Sequence, residues 1–247
     1  MNARGFRSRC FILKFLYFWN FDMSFFNKAT KKSVKLRLLL QGASGSGKTY
    51  SSLVLAQSLG KKIALIDTEK GSASLYSDKF DFDVIEMNAP YEVAKFIQAI
   101  KEAEKEGYDV LVIDSITHEW QYLLELHSKM DGNSYTNWSK ITPVHDKFLN
   151  AILTSNLHII ATARSKQEYT LEDQNGKKVP VKKGLGMIQR DGLDYEFTIV
   201  FELNENHLAK APKDRSGIFD GQDFPITTET GQKLLNWLDP STIQQTK

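Results

Sequence analysis

The apolar positions of this chain switch repeatedly between two patterns. Residues 34–41, with Val34, Leu36, Leu38, Leu39 and Leu40 apolar, read as a buried strand. Residues 50–59 then place Leu53, Val54, Ala56 and Leu59 at helical spacing, with Gly60 as a C-terminal stop. Residues 61–67 and 82–87 read as strands. Residues 90–106 read as a helix with Val93, Phe96, Ile97 and Ile100 on one face, Pro90 in its first turn and Gly107 at its end. Residues 109–114 are apolar enough for a strand buried on both faces. Residues 115–130 predict a helix whose stripe of Trp120, Leu123, Leu124 and His127 packs into the core. A polar loop over 131–139 carries Tyr135 and Trp138, and 143–154 forms another helix.

Residues 158–163 are a further strand, and 169–181 a β-hairpin around Asn175-Gly176. Residues 197–203 alternate as a strand, turn at 204–206 and return over 207–212. Residues 228–238 close the chain as a helix stopped by Asp239-Pro240. Strands alternating with helices predict an α/β fold with a mainly parallel sheet flanked by helices. The two late strands predict antiparallel additions at one edge. Residues 131–139 and 165–191 are the segments long and polar enough to serve as functional loops.

The segmentation is a tail over 1–32, one domain over 33–240 and a short tail over 241–247. Arg4, Arg7 and Arg9 precede an apolar run over 11–19, as in a signal peptide, but Lys14 interrupts the run and no small-residue cleavage site follows. With Met23 available as a start, the tail reads as an over-extended gene start or a poorly ordered segment. A peripheral membrane anchor is the alternative. No stretch reaches the roughly 18 apolar residues a membrane span needs, so stable membrane insertion is not expected.

Composition narrows little. Charged residues make up 25% and the net charge is +2, so any nucleic-acid surface must be a local patch. The single cysteine, Cys10, rules out an internal disulfide framework and a multi-cysteine metal site, in keeping with a cytoplasmic protein. His118-Glu119 lacks the second histidine of a zinc-protease helix.

The strongest chemistry lies in Gly42-Ala43-Ser44-Gly45-Ser46-Gly47-Lys48-Thr49, which meets the phosphate-loop pattern at every fixed position. Its glycines let successive N–H groups face phosphate oxygens, while Lys48 reaches the terminal phosphates for binding and catalysis. Thr49 offers a hydroxyl to Mg²⁺, and Tyr50 follows at the helix N-terminus, which favours anions. The expected ligand is ATP with Mg²⁺; the bland alternative is a glycine-rich turn. Asp114 ends the most apolar strand and emerges at the carboxyl edge, where ligands sit, so it is the candidate second metal-side residue. Glu69 emerges just past another strand and can orient or deprotonate water. Each could instead be a solvated loop acid.

Ile66-Asp67-Thr68-Glu69 and Val112-Ile113-Asp114-Ser115, in this order after the phosphate loop, resemble the core of the RecA-like ATPases. The resemblance implies that Glu69 is the catalytic base and Asp114 the Walker B residue. Arg164 falls near the family's γ-phosphate sensor, where glutamine is usual. Lys213-Asp214-Arg215 is similar to an element with which RadA-like and KaiC-like members reach a neighbouring subunit's ATP, which implies a homo-oligomeric ring or filament. A charged surface turn is the alternative reading of that element.

A narrower resemblance is to the phage and prophage ATP-binding proteins of the Sak-type single-strand annealing and recombination group. It rests on Asp67-Thr68-Glu69-Lys70-Gly71, Asp114-Ser115-Ile116-Thr117-His118-Glu119-Trp120, Ala163-Arg164-Ser165-Lys166, Arg190-Asp191-Gly192-Leu193-Asp194-Tyr195-Glu196-Phe197 and Lys213-Asp214-Arg215. The resemblance implies single-stranded DNA as a partner. Lys166, Lys177, Lys178, Lys182 and Lys183 then become candidate DNA contacts, with Tyr135 and Trp138 as candidate base-stacking residues. A solvated hairpin and core aromatics are the alternative. Two other functions compete: a KaiC-like oligomeric switch acting on a protein partner, and a nucleotide kinase.

Overall fold

The computed structural model describes residues 34–174 and 177–239. The expectations for the two tails, and for the Asn175-Gly176 turn itself, lie outside these residues. The strands are β1 (Arg37–Gly42), β2 (Ile63–Asp67), β3 (Asp83–Glu86), β4 (Val110–Asp114), β5 (His158–Gln174), β6 (Lys177–Met187), β7 (Ile199–Leu203), β8 (Leu208–Asp214) and β9 (Phe224–Pro225). They form a sheet in the order β3-β2-β4-β5-β1-β7-β8-β9, with β6 paired to β5. The helices are α1 (Lys48–Leu59), α2 (Val93–Lys105), α3 (Thr117–Ser128), α4 (Ser134–Thr154) and α5 (Thr228–Leu238).

Both faces of the sheet are covered, which is why its central strands read as continuous apolar runs. Side chains alternate between faces along a strand. Leu38 and Leu40 of β1 therefore pack with Leu53, Leu55 and Leu234 under α1 and α5. Leu39, between them, packs with Phe96, Trp120, Ile141 and Phe148 under α2, α3 and α4.

Several boundaries differ from the sequence reading, each for an identifiable reason. The polar loop expected over 131–139 is mostly the start of α4. The Asn133 side chain accepts the Tyr135 N–H at 2.8 Å and caps the helix. Trp138 stacks on His127 with ring centroids 4.2 Å apart, which anchors this first part of α4 against α3. Pro143 lies inside the helix without ending it. The segment 165–191 is not a loop but largely an arm. β5 runs on past the sheet and pairs antiparallel with β6 from Ser165↔Met187 to Gln174↔Lys177, so its backbone groups are satisfied locally. β7 runs parallel to β1, and the antiparallel additions begin only at β8. α2 starts at Val93, leaving Pro90 ahead of it. Gly60 does follow α1, but its backbone is extended rather than left-handed. A glycine fits there because a Cβ would sit 2.3 Å from that of Asp109.

The start of β1 is tied to its neighbours by a buried guanidinium and a half-buried imidazole. The Arg37 guanidinium donates to the carbonyls of Leu157 (2.7 Å) and Leu153 (3.2 Å) and to that of Ser155, at the C-terminal end of α4. A cation suits that end of a helix. The Leu36 N–H donates to His158 Nδ1 at 3.1 Å, which requires that nitrogen to be unprotonated. Burial, with Lys35 and Arg37 nearby, pushes the imidazole down to about 4 from 6.5. Between those values the unfolded chain binds more protons than the folded one. The stabilisation is therefore complete above pH 6.5 and is lost as pH falls towards 4, by at most about 3 kcal/mol. Urea midpoints of wild type and His158→Asn, whose Oδ1 can accept the same bond, should diverge over that window. Parallel curves would show that His158 contributes nothing to acid sensitivity.

Candidate nucleotide site

β1 carries the chain to Gly42 and α1 starts at Lys48, so the intervening loop is held between two core elements. Gly45 and Gly47 have φ of 79° and 90°, the left-handed region that favours glycine. The turn lets Lys48 fold back, and its Nζ donates to the carbonyls of Gly42 (3.1 Å) and Ala43 (2.8 Å). Burial lowers the ammonium pKa, while the charges of Asp114 and Glu69 work the other way.

Asp114 is 1% exposed at the carboxyl end of β4. Its Oδ2 accepts from Thr49 Oγ1 at 2.5 Å, and its Oδ1 accepts from the Thr162 hydroxyl. Burial pushes this carboxyl up; the hydroxyl bonds from Thr162 and Thr49 oppose the shift. Thr162 escaped the sequence reading. It pairs with Leu40 of β1 because β5 lies between β1 and β4. Its one signal was a hydroxyl within an otherwise apolar strand.

The loop after β2 is braced by Asp67. Its two carboxylate oxygens accept the N–H groups of Glu69 (2.5 Å) and Ala73 (2.9 Å). Thr68 Oγ1 accepts the Ser115 N–H at 2.8 Å and lies 2.6 Å from His118 Nδ1. Tyr91 donates its hydroxyl to the Thr68 carbonyl at 3.1 Å and stacks on His118. These contacts tie the Glu69 loop to the turn after Asp114. The Glu69 carboxylate pairs with Arg164 Nε at 2.9 Å. Arg164 stands at the root of the β5–β6 arm: its N–H donates to Thr117 Oγ1 (2.9 Å) and its carbonyl accepts from Ile188 N–H (2.7 Å).

Ser44, Gly45, Gly47, Lys48, Thr49, Tyr50, Glu69 and Arg164 line one cavity of about 680 Å³. The sequence-derived nucleotide residues and the Glu69 and Arg164 candidates therefore converge. Gly42 and Ala43 meet the site through their carbonyl bonds to Lys48, and Ser46 is buried beneath it. Tyr76, His207, Pro225 and Ile226 also line the cavity and were not singled out in the sequence.

Lys213 and Arg215 are not among the lining residues. Lys213 Nζ donates to the carbonyls of Asp194 (2.8 Å) and Tyr195 (2.6 Å), and Arg215 Nη2 reaches the Tyr195 carbonyl at 3.5 Å. Of the arm lysines, Lys166 and Lys178 are exposed. The side chains of Lys177, Lys182 and Lys183 lie outside the described residues. Tyr135 is 87% exposed and open to a partner. Trp138 is not free to stack on a base, because its ring is packed between His127 and Trp120 in the α3–α4 contact.

The residues are a hydroxyl, a buried carboxylate, a lysine, and an acid–arginine pair around a phosphate loop, which suits nucleotide binding and hydrolysis. Among the described residues no helix is long and apolar enough to cross a membrane. A family model described as an AAA domain matches residues 34–236. No curated protein matches the chain.

Proposed function

Because the chain belongs to the AAA-domain family, an ATP-binding domain of the P-loop ATPase type, we propose that it is a RecA-like Mg²⁺-dependent ATPase that binds single-stranded DNA in phage-type recombination, annealing or repair. The observation that carries the ATPase part is the convergence of Lys48, Thr49 and Glu69 on one cavity, with buried Asp114 bonded to Thr49.

The donor set fits Mg²⁺. Thr49 and Asp114 offer hard oxygens that already touch, and the described residues hold no cluster of three or more histidine, cysteine or acidic ligands. Mg²⁺ needs no such cage, since it keeps waters and shares substrate phosphates. Bound there, it would neutralise charge on the phosphate oxygens. Lys48 leaves its loop carbonyls for the terminal phosphates, and the loop N–H groups hold the rest of the polyphosphate. Glu69 orients the attacking water and accepts its proton, which requires its carboxylate to turn from Arg164. That exchange is easy: partly exposed pairs of this kind contribute only about 0–1 kcal/mol. Arg164 then supplies positive charge on the γ-phosphate side.

The DNA part is supported by the arm. Arg164 joins it directly to Glu69, so a ligand held by Lys166 and Lys178 can bias the catalytic pair. The test is the ATPase rate with and without single-stranded DNA, alongside DNA affinity against salt. DNA should raise the rate, and Lys48→Ala should abolish it. Replacing Lys166 and Lys178 by Ala should reduce the slope of log affinity against log salt by about 0.7 for each phosphate no longer neutralised. An unchanged slope would move DNA off the arm. ATP hydrolysis indifferent to DNA would favour a switch acting on a protein partner.

A further inference from the structure

The turn between β7 and β8 carries a side chain that the ATPase reading leaves without a task. His207 is one of two non-glycine residues with positive φ among the described residues, at 61°. That backbone is disfavoured for a residue with a Cβ. The turn is built to hold it. Asn204 Oδ1 accepts the N–H groups of Asn206 (2.9 Å) and Leu208 (3.0 Å). The His207 N–H donates to the Asn204 carbonyl at 3.1 Å.

The result is an imidazole seated against the phosphate loop. A Cβ placed on Gly47 would lie 3.1 Å from His207 Nδ1. The ring lines the same cavity as Lys48 and Thr49. Among the described residues it has no side-chain hydrogen-bond partner, so both ring nitrogens are available. Gly47 belongs to the part of the loop whose N–H groups cradle the α- and β-phosphates. A donor beside it is therefore near those phosphates and not at the γ-phosphate end marked by Glu69.

We propose that His207 is a nucleotide-contacting residue, donating a ring N–H to the α/β-phosphate region of a bound nucleoside di- or triphosphate. The inference rests on the nucleotide-binding reading of the same cavity. It explains why a strained, exposed histidine stands in a turn that glycine or asparagine would fill more easily. Hydrogen bonds to charged groups are the strong ones, so losing this one should weaken binding about tenfold or more.

Calorimetric titration of the full chain with ATP and with ADP tests it. His207→Gly removes the ring while suiting the positive φ, so it should fold at least as well as wild type. Its affinities for ATP and ADP should fall by a similar factor. His207→Asn, which tolerates the same backbone and retains a donor, should recover part of the loss. Wild-type affinity in His207→Gly would overturn the proposal, as would a loss confined to ATP, which would locate the contact at the γ-phosphate. A loss accompanied by a lower melting temperature would make His207 a prop for the loop and overturn the contact. Absence of nucleotide binding by wild type would instead remove the underlying reading.

Discussion

Glu69→Gln should bind Mg-ATP with wild-type affinity and hydrolyse it about 10²–10⁴-fold more slowly, the usual loss when a general base is removed. The two effects separate because Glu69 meets the cavity from the β2 side, while the phosphates are held by the loop and Lys48. Its backbone is fixed by Asp67 through the Glu69 N–H, so an amide of the same shape leaves the loop where it is. What disappears is the ability to take a proton. The substitution also frees Arg164 from its ion pair, which does not restore a base. Calorimetry measures the affinity and single-turnover phosphate release measures the rate. Turnover near the wild-type rate would mean that water is activated by another group.

The second large effect is expected from Lys213→Ala combined with Arg215→Ala. The two cations lie on one side of the chain at the end of β8, both directed at the Tyr195 carbonyl, and neither lines the cavity of its own chain. Burial, and then the nearby Arg215 charge, lowers the Lys213 pKa. We propose that the pair serves an ATP held by a neighbouring copy, as charge that neutralises the transferring phosphoryl group. Such residues are worth roughly 10³–10⁵ in rate. The double variant should therefore bind ATP normally and hydrolyse it very slowly. Mixing it with Lys48→Ala should restore part of the activity, because an intact loop can then face an intact pair across an interface. A mixture that co-assembles and stays inactive would refute action between subunits. A drop in melting temperature would show instead that the pair mainly secures the 3₁₀ turn at Leu193–Glu196.

The elements most legible in the sequence were those whose physics is local. Eight contiguous residues encode the phosphate loop, because its φ angles and its lysine and threonine all belong to one turn. The positions of Asp114 and Glu69 were legible too, since one ends and the other follows an apolar run that forms a strand. The hairpin reading of 169–181 was right in kind, because Asn-Gly is a short-range turn signal. It was too short: the pairing extends to Ser165 and Met187. Polar residues there gave no apolar period by which to extend the strands.

The helix at 134–142 shows the opposite limit. Its residues are polar by count, and the Asn133 cap together with the stacking of Trp138 on His127 and Trp120 holds them as the first turns of α4. The same contact withdrew Trp138 from the candidate base-stacking residues. Thr162 and His207 reach the site from far along the chain, through the insertion of β5 between β1 and β4 and through the turn held by Asn204. By itself the sequence determined the fold class, the glycine-rich loop between β1 and α1, and the places of Glu69 and Asp114 at strand ends, because backbone geometry and apolar periodicity are written in neighbouring residues. Tertiary structure alone decided which hydroxyl holds Asp114, which cation meets Glu69 and which side chain overlies Gly47. Those contacts depend on strand order and register, which arise from packing across the whole sheet.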